Sequence, residues 1–387
     1  MRHKISPAVA RIPFSVIREM SLKASEYENV ISLGIGEPDF NTPETICRSA
    51  AADALAGATH YTPSNGDIEL IAAICDYLCN SRSQTFSPDN IVVTGGGMGA
   101  LTAYFRTVLS TRDEVLIPEP YFPAYRPHIE WAGGKAVGVP CRIENGFVPR
   151  SEDLVSAVTP RTKVLLLNYP NNPTGAVIEA ADMDRLAQFA INHDLLVVSD
   201  EVYEKLLFHD KPNESPYSRP GMTERTVVIH SFSKSYAMTG WRIGYAFGPQ
   251  WIIGPMTKVV SYCTSCASSV SQRAALYALR AAAQPFEEMV TKFERRSGFA
   301  YEQLSQIPGL TVHRAAGTFY LFPDIRKLTM DSRQFALKLL EKEQVAVVPG
   351  EAFGQCGKGF FRIALTVPAK FLEQAIERMD RFVRTCY

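Results

Sequence analysis

The chain lacks both an imbalance of charge and long apolar runs. Its 40 basic residues balance 40 acidic residues, so the formal net charge is +0. Proteins that bind nucleic acid through their overall charge carry an excess of lysine and arginine, so we expect no nucleic-acid partner. No apolar run approaches the ~20 residues of a membrane-spanning helix, and residues 1–10 contain no signal-peptide apolar region. We therefore expect no membrane association.

Cysteine and histidine show no pattern typical of a metal site or a disulfide framework. Eight cysteines in 387 residues favour a reducing, cytoplasmic location. Cys263 and Cys266 form a C-x-x-C pair, but no second pair and no nearby histidine accompanies them. The seven histidines lack ligand spacing, so we expect no metal.

What is present indicates a large α/β protein. The 387 residues, of which 46% are hydrophobic, are enough for about two domains. Short β-branched runs alternate with helical patterns, which is typical of a mostly parallel sheet covered on both faces. The predicted strands are residues 91–94, 114–118, 163–167, 195–199, 226–230 and 241–245. The predicted helices are residues 100–109, 183–192 and 271–282.

The pattern changes after about residue 285, where a smaller α+β domain is predicted. Its helices are predicted at residues 286–304 and 369–384, and its short strands at 317–322, 345–348 and 360–365. We expect three parts: an N-terminal segment (1–45) that packs on the small domain, a large domain (46–285) and the small domain (286–387).

Lys234 lies between two predicted apolar strands. Lysine is rarely buried, and burial lowers its pKa, so that a neutral amine can attack an aldehyde. Ser231, Ser233 and Arg242 are groups that hold a phosphate. An amine beside a phosphate cradle predicts pyridoxal phosphate. The competing interpretation is a surface loop with a solvated lysine.

Other polar motifs also follow predicted strands. Asp200 and Asn172 each come soon after one, and the glycine run 95–99 follows another. Ligands of parallel α/β sheets gather beyond the carboxyl ends of the strands. We therefore expect these groups to converge with Lys234.

Each converging group has a role with the predicted cofactor. The Asp200 carboxylate would keep the pyridine nitrogen protonated, because a nearby anion favours the charged form. Asn172 and Tyr203 would form hydrogen bonds with the phenolic oxygen. Backbone amides at a helix N-terminus would hold the phosphate, and they belong to Gly96, Gly97 and Met98.

Alternative functions remain open at this point. Residues 95–100 satisfy G-x-G-x-x-A after a strand, and Glu119 lies near the place of the acidic residue in dinucleotide-binding folds, which would indicate a nicotinamide dehydrogenase. That interpretation leaves Lys234, Asp200 and Arg362 unexplained. A β-lyase or decarboxylase would use the same cofactor differently, and a catalytically idle regulator would keep only the fold.

Motifs along nearly the whole chain resemble those of class I and II aminotransferases, pyridoxal-phosphate enzymes of fold type I. The similar segments are residues 32–40, 61–66, 171–175, 199–203, 231–244 and 361–364. The resemblance implies amino-group transfer from an L-amino acid to a 2-oxo acid in the large, cofactor-binding domain, with Lys234, Asp200 and Tyr203 as catalytic residues. The overall sequence pattern resembles that of bacterial aminotransferase A-like proteins and archaeal aromatic aminotransferases.

The resemblance also implies roles for residues outside these strand ends. Arg362 would bind the substrate α-carboxylate, with help from Asn172 and the Gly36 backbone. Phe122 would stack on the cofactor ring. Tyr61 would reach the phosphate of the neighbouring subunit's cofactor, which implies a homodimer.

Two positions bear on substrate choice. Aspartate-specific relatives carry a lysine in the glycine run and a small hydroxyl residue in the N-terminal segment, and both meet the distal carboxylate. Met98 and Phe14, with Val16 close by, stand at the matching positions. We expect an aromatic or long uncharged-stem donor with 2-oxoglutarate as acceptor, and Arg18 as the cation for its distal carboxylate. Aspartate is the alternative donor.

Overall fold

Strands and helices alternate along most of the chain in the computed structural model, which describes residues 6–10, 12, 14–82, 84–209, 212–281 and 283–387. The strands are β1 (Ile31–Ser32), β2 (Ile91–Thr94), β3 (Glu114–Glu119), β4 (Lys135–Pro140), β5 (Thr162–Asn168), β6 (Leu196–Asp200), β7 (Thr226–Ser231), β8 (Gly244–Phe247), β9 (Tyr320–Leu321), β10 (Val345–Ala346), β11 (Val348–Pro349) and β12 (Phe361–Ala364).

Helices cover both faces of the sheet and form most of the C-terminal part. They are α1 (Pro7–Ala10), α2 (Val16–Ala24), α3 (Glu44–Leu55), α4 (Ile68–Arg82), α5 (Gly96–Val108), α6 (Tyr125–Trp131), α7 (Ser151–Ala157), α8 (Ala180–Asn192), α9 (Phe232–Ser235), α10 (Gln250–Thr264), α11 (Ser269–Arg280), α12 (Gln284–Leu304), α13 (Ser332–Glu343) and α14 (Ala369–Cys386). Short 3₁₀ helices lie at Pro88–Asn90, Ile143–Asn145, Pro216–Ser218, Gly350–Phe353 and Gln355–Gly357. Within the described residues, no helix combines the length and apolar character needed to cross a membrane.

A seven-stranded sheet forms the centre of the large part of the chain, in the order β2-β8-β7-β6-β5-β3-β4. All its strands are parallel except β8, which runs against β2 and β7. The continuous apolar runs that predicted buried strands are buried along β2, β3 and β7. The mostly parallel α/β sheet predicted from the sequence is confirmed.

The register of this sheet brings four strand ends to one edge. Asn168 at the end of β5 lies opposite Asp200 at the end of β6, and Gly244 of β8 lies opposite both Thr94 of β2 and Ser231 of β7. Because these strands end at the same level, the polar residues that follow them open into one space.

Three predicted strands differ from the structure for local backbone reasons. Residues 241–243 are a turn rather than strand, because Arg242 has φ +52°, and β8 begins at Gly244. Only two residues of 317–322 are strand, since Thr318 has φ +64°. Residues 345–348 divide between β10, which pairs with β1, and β11, which pairs with β12.

The N-terminal segment packs on the C-terminal part, as expected from the sequence. Met20, Ala24 and Leu33 belong to the same buried hydrophobic cluster as Phe335 and Phe361. Pairing of β1 with β10 joins the two segments through the backbone. The boundaries proposed at residues 45 and 285 stay a prediction.

Candidate active site

A cavity of about 270 Å³ lies beyond the carboxyl ends of β2, β5, β6 and β7. Most of the predicted site residues line it: Gly36, Gly97, Met98, Phe122, Asn172, Asp200, Tyr203, Ser231, Ser233, Lys234, Arg242 and Arg362. Residues more than 300 positions apart in the sequence therefore meet in one space. The sequence motifs converge where the strand ends do.

Two predicted residues lie outside the cavity lining, because of the way the N-terminal segment folds. Phe14 is 98% exposed and precedes α2, whose cap is Ser15. Val16 packs against the C-terminal core, on the same face of α2 as Met20 and Ala24. The adjacent residue Ile17 lines the cavity instead. Phe14 and Val16 therefore lie outside the cavity lining in the described chain, and their contact with the substrate stays a prediction.

Arg18 and Tyr61 also lie outside the lining. Arg18 is exposed and does not line the cavity in the described chain, so its contact with the substrate stays a prediction. Tyr61 is 87% exposed on the loop that follows α3. That loop is held by Gln272, whose amide nitrogen donates to the Thr62 hydroxyl at 2.9 Å and whose oxygen accepts from the Asp67 amide. The side chain of Tyr61 is therefore exposed on a loop whose backbone is held in place.

Lys234 sits in α9, the single helical turn that follows β7. Ser231 caps this turn by accepting a hydrogen bond from the Ser233 amide at 3.2 Å. The Lys234 amine donates to the Gly36 carbonyl at 2.6 Å. Burial, helped by the nearby charges of Arg362 and Arg242, lowers the pKa of Lys234 to about 8, although the charge of Glu37 opposes this shift. Such an amine loses its proton easily and becomes a nucleophile.

Asp200 is the last residue of β6 and receives one short hydrogen bond. The Tyr125 hydroxyl donates to Oδ2 at 2.7 Å, and the Val202 amide makes a longer contact of 3.4 Å with Oδ1. Burial raises the pKa of Asp200 to about 6, although both donors oppose that shift. The carboxylate is therefore poorly compensated, and a cation beside it would be stabilised.

Arg362, on β12, is a buried cation that has no carboxylate partner among the described residues. It is 1% exposed, and it donates to the Asn172 side-chain oxygen at 3.1 Å and to the Gly34 carbonyl at 2.6 Å. Its Nε is buried without a hydrogen-bond partner. Its guanidinium lies 4.4 Å from the centre of the Tyr320 ring. A buried guanidinium with a free donor fits a carboxylate ligand.

The glycine turn and Arg242 form a cradle at the N-terminus of α5. Gly96 has φ +77°, and a β-carbon there would lie 2.9 Å from Nη2 of Arg242. The guanidinium therefore lies directly over the first turn of a 13-residue helix, where backbone N–H groups are free. The hydroxyl residues Ser231 and Ser233 line the same cavity. These donors fit a phosphate.

Several lining residues were missed by the sequence analysis. Tyr125 and Tyr320 line the cavity through their rings, and Tyr320 shares a 3.1 Å hydrogen bond with Tyr203. A β-carbon at Gly36 would overlap the Tyr320 hydroxyl, which explains the glycine. The other missed residues are Ile17, Leu101, Asn168, Val202 and Thr239. The aromatic run 121–125 after β3 was a signal for Tyr125, because it too follows a strand end.

The geometry contradicts the dehydrogenase interpretation. Strands β8, β7, β6 and β5 lie between β2, which carries the glycine turn, and β3, which ends at Glu119. The Glu119 carboxylate accepts a hydrogen bond from the Cys356 amide at 3.0 Å. It therefore lies far across the sheet from any ligand at the glycine turn.

The residues fit pyridoxal phosphate better than any ligand without an aldehyde and a phosphate. The site combines a lysine of lowered pKa, an undercompensated carboxylate, an arginine over a glycine turn and a second arginine with a free donor. These four groups match the cofactor's aldehyde, ring nitrogen and phosphate and the substrate's carboxylate.

Comparison with known proteins agrees with this fit. The family model "Aminotransferase class I and II" matches residues 28–379. The chain is 39% identical to aromatic-amino-acid aminotransferase 2 of Thermococcus litoralis and 40% identical to an aspartate aminotransferase of Pyrococcus abyssi, each over 96% of both chains. It superimposes on the aromatic aminotransferase of Pyrococcus horikoshii with a TM-score of 0.90 and 40% identity, over 95% of this chain and 99% of that one. The chain belongs to the class I and II aminotransferases, and it is a fold type I, pyridoxal-phosphate-dependent enzyme.

Proposed function

We propose that this aminotransferase takes its amino group from aromatic or long apolar L-amino acids and passes it to 2-oxoglutarate. One observation carries the proposal: the cations that line the cavity, within the described residues, are Lys234, Arg242 and Arg362. Each has a role that every donor requires. None is left over for a second carboxylate on the donor.

The rest of the lining supports an apolar donor. Ile17, Met98 and Leu101 present hydrocarbon surface to the cavity. Full burial of an aromatic or branched side chain contributes about 1.5–3 kcal/mol. A carboxylate buried without a partner loses its hydration and gains nothing in return. An apolar donor is therefore favoured over aspartate in this cavity.

The acceptor requires a cation from elsewhere. The distal carboxylate of 2-oxoglutarate would meet the same apolar lining, and Arg18 lies outside it. We infer that the missing donor comes from the partner subunit of a homodimer. The exposed ring of Tyr61 supports such a dimer, since a tyrosine that is 87% exposed on an anchored loop is placed to enter a neighbouring site.

The catalytic roles follow from the contacts described. When bound, pyridoxal phosphate supplies an electron sink for the bond that breaks at the substrate Cα. Arg362 binds the α-carboxylate and so orients the Cα–H bond. Nζ of Lys234, released from the Gly36 carbonyl, accepts the Cα proton as a general base. Asp200 would hold a proton on the ring nitrogen, and Tyr203 would form a hydrogen bond with the phenolic oxygen.

Cysteine chemistry supports the location proposed from the sequence. All eight cysteines are free thiols, and Cys263 and Cys266 are not paired with each other. Free thiols at partly exposed positions are typical of a reducing compartment. We infer that the enzyme works in the cytoplasm.

Half-reactions with single amino acids test the substrate proposal. We expect kcat/KM for phenylalanine and tyrosine at least equal to that for aspartate, with an N-acylated diamino acid as a further comparison. Aspartate preferred more than about tenfold over all the others would overturn the proposal. Release of pyruvate and ammonia without a keto acid would indicate a β-lyase instead.

A pair of variants at Met98 sharpens this test. Met98→Lys places a cation in the lining, so kcat/KM for aspartate should rise about tenfold relative to phenylalanine, the scale of one charge-assisted hydrogen bond. Met98→Leu is the control, because it keeps an apolar side chain of similar size. If both variants change the ratio equally, Met98 packs without contacting the donor.

A further inference from the structure

The hydrogen bond from Tyr125 is the main stabilising contact of the Asp200 carboxylate. Tyr125 is the first residue of α6 and is 0% exposed. Its ring packs edge-on against Phe122, with centroids 5.6 Å apart at 83°. The phenol hydroxyl is therefore held in a fixed place, 2.7 Å from Oδ2 of Asp200.

The other oxygen of Asp200 has no comparable partner. Oδ1 is approached by the Val202 amide at 3.4 Å, a length at which the bond is weak. The remaining charges that act on Asp200 are Glu201, which opposes its ionisation, and His230, which favours it. Tyr203 also lies within electrostatic reach, as a neutral phenol whose pKa burial raises well above its usual range.

We propose that Tyr125 is a positioning residue for catalysis, which keeps Asp200 ionised by binding Oδ2 and so leaves Oδ1 to hold the proton on the cofactor's ring nitrogen. The proposal rests on the role given to Asp200 above. A shared proton can sit on either the carboxyl oxygen or the ring nitrogen. A hydrogen bond donated to the carboxylate favours its charged form and therefore leaves the proton on nitrogen.

Tyr104 provides a matched control within the same hydrophobic cluster. Like Tyr125 it is 0% exposed, and both rings belong to the core beside β2 and β3. Its hydroxyl, however, has no hydrogen-bond partner. Changing either tyrosine to phenylalanine removes one buried oxygen and keeps the ring. Only the change at Tyr125 removes a bond to Asp200.

The test compares four holoenzymes: the native chain, Tyr125→Phe, Tyr104→Phe and Asp200→Asn. Each is loaded with pyridoxal phosphate carrying ¹⁵N in the ring. The nitrogen resonance is followed from about pH 6, the pKa of Asp200, to about pH 9, below the ordinary pKa of tyrosine. We expect the protonated-nitrogen position for the native chain and for Tyr104→Phe. The resonance of Tyr125→Phe should move toward the neutral-nitrogen position as pH rises. The resonance of Asp200→Asn should lie at the neutral-nitrogen position at every pH.

Steady-state kinetics gives an independent measurement. Tyr125→Phe should lower kcat about tenfold, the scale of one hydrogen bond to a charged group. KM should change less than about twofold, because Arg362 still binds the substrate and a transition-state interaction alone is lost. Tyr104→Phe should leave both constants unchanged.

The outcomes separate the two proposals. If Asp200→Asn moves the nitrogen resonance and Tyr125→Phe does not, Tyr125 only packs and the inference about it is overturned. If neither variant moves it, the role of Asp200 fails as well. A shift in Tyr104→Phe equal to that in Tyr125→Phe would attribute the effect to packing and would also overturn the inference.

Discussion

Asp200 and Glu201 are adjacent carboxylates at the end of β6, and their surroundings are opposite. Asp200 faces the cavity, where burial raises its pKa to about 6. Glu201 faces the other side of the sheet. Burial would raise its pKa too, but the charge of Arg82 and hydrogen bonds from His230 and Ser215 lower it to about 2.

Glu201 forms a buried ion network with Arg82 and His230. Arg82 binds Glu201 at 2.7 Å, and the side chains of Ser199, Ser215 and Asn213 donate at 2.9, 2.5 and 2.9 Å. Every lone pair of that carboxylate is therefore engaged. The pKa values of these two adjacent carboxylates differ because Glu201 is paired within the fold, whereas Asp200 faces the cavity.

The same contrast holds for the cations. Lys205 donates to the Tyr236 hydroxyl at 2.7 Å and lies over the rings of Tyr77 and Tyr236. Lys234 donates to one carbonyl and lies 6.0 Å from the centre of the Phe319 ring. Arg82 has a carboxylate partner, and Arg362 has none in the described residues. The charged groups that line the cavity have fewer polar partners than the charged groups behind the sheet. Perturbed groups of the first kind mark functional sites.

The largest effect is expected at Lys234, with Lys205 as the matched control. Lys234→Ala should lower transamination at least about 10⁴-fold, because it removes both the nucleophile and the general base. Lys205→Met should retain nearly normal turnover. Borohydride reduction of the holoenzyme followed by peptide mapping should label Lys234 alone. A label on Lys205 would reverse the assignment.

The second-largest effect is expected when Glu201, like Asp200, has no cation beside it. Arg82→Met leaves Glu201 buried without its cation, which should lower the free energy of unfolding by about 3–5 kcal/mol. Arg48→Met is the control, since the exposed Arg48–Glu44 pair should contribute less than about 1 kcal/mol. Urea denaturation at neutral pH measures both. Equal, small losses would mean that the network contributes little.

The third effect concerns catalysis rather than stability. Asp200→Asn should keep the fold and lower kcat by more than about 100-fold, the scale of one preorganised electrostatic partner. Stopped-flow half-reactions measure this loss. A near-normal kcat would show that Asp200 does not serve the ring nitrogen.

The same variant should change how the stability of the cofactor-free protein depends on pH. The pKa of Asp200 is raised in the folded state, so between about pH 4, its unfolded value, and about pH 6 the folded chain binds more protons. The contribution of Asp200 to stability is therefore lost as pH rises through that window. Asp200→Asn lacks this loss. Its free energy of unfolding, relative to that of the native chain, should therefore increase as pH rises through the same window.

The smallest effect is expected at Arg362. Arg362→Lys keeps the charge and loses the paired donors, so kcat/KM should fall about tenfold for every amino acid tested while the cofactor absorbance stays. A panel of apolar, aromatic and acidic donors measures this. A loss confined to one donor would mean that Arg362 contacts a side chain rather than the shared carboxylate.

How much the sequence could predict depends on whether a feature is local. Asp200, Asn172 and Lys234 were placed correctly in the cavity because each follows a strand directly, and parallel strands end at one edge. Their chemical roles stay predictions. Phe14 lies outside the cavity lining, and sequence position alone does not say which face of α2 packs on the C-terminal core.

Features that depend on distant contacts were not predictable. The strand end before Tyr125 indicates its surroundings, but its role depends on a hydrogen bond to Asp200, 75 residues away. The turn at Arg242 was taken for strand because a positive φ at a non-glycine residue leaves no signal in composition. The division of residues 345–348 between two sheets likewise depends on β1, far away in the chain.

The contacts of Arg362 have a consequence for the order of events during synthesis. Its guanidinium joins Asn172, 190 residues earlier, and Gly34, 328 residues earlier. Contacts so distant in sequence form late, because long loops must close first. On the ribosome, the central sheet can be complete while residue 362 is still unsynthesised. We therefore expect nascent chains to become competent to bind amino acids only after the C-terminal part has emerged from the exit tunnel.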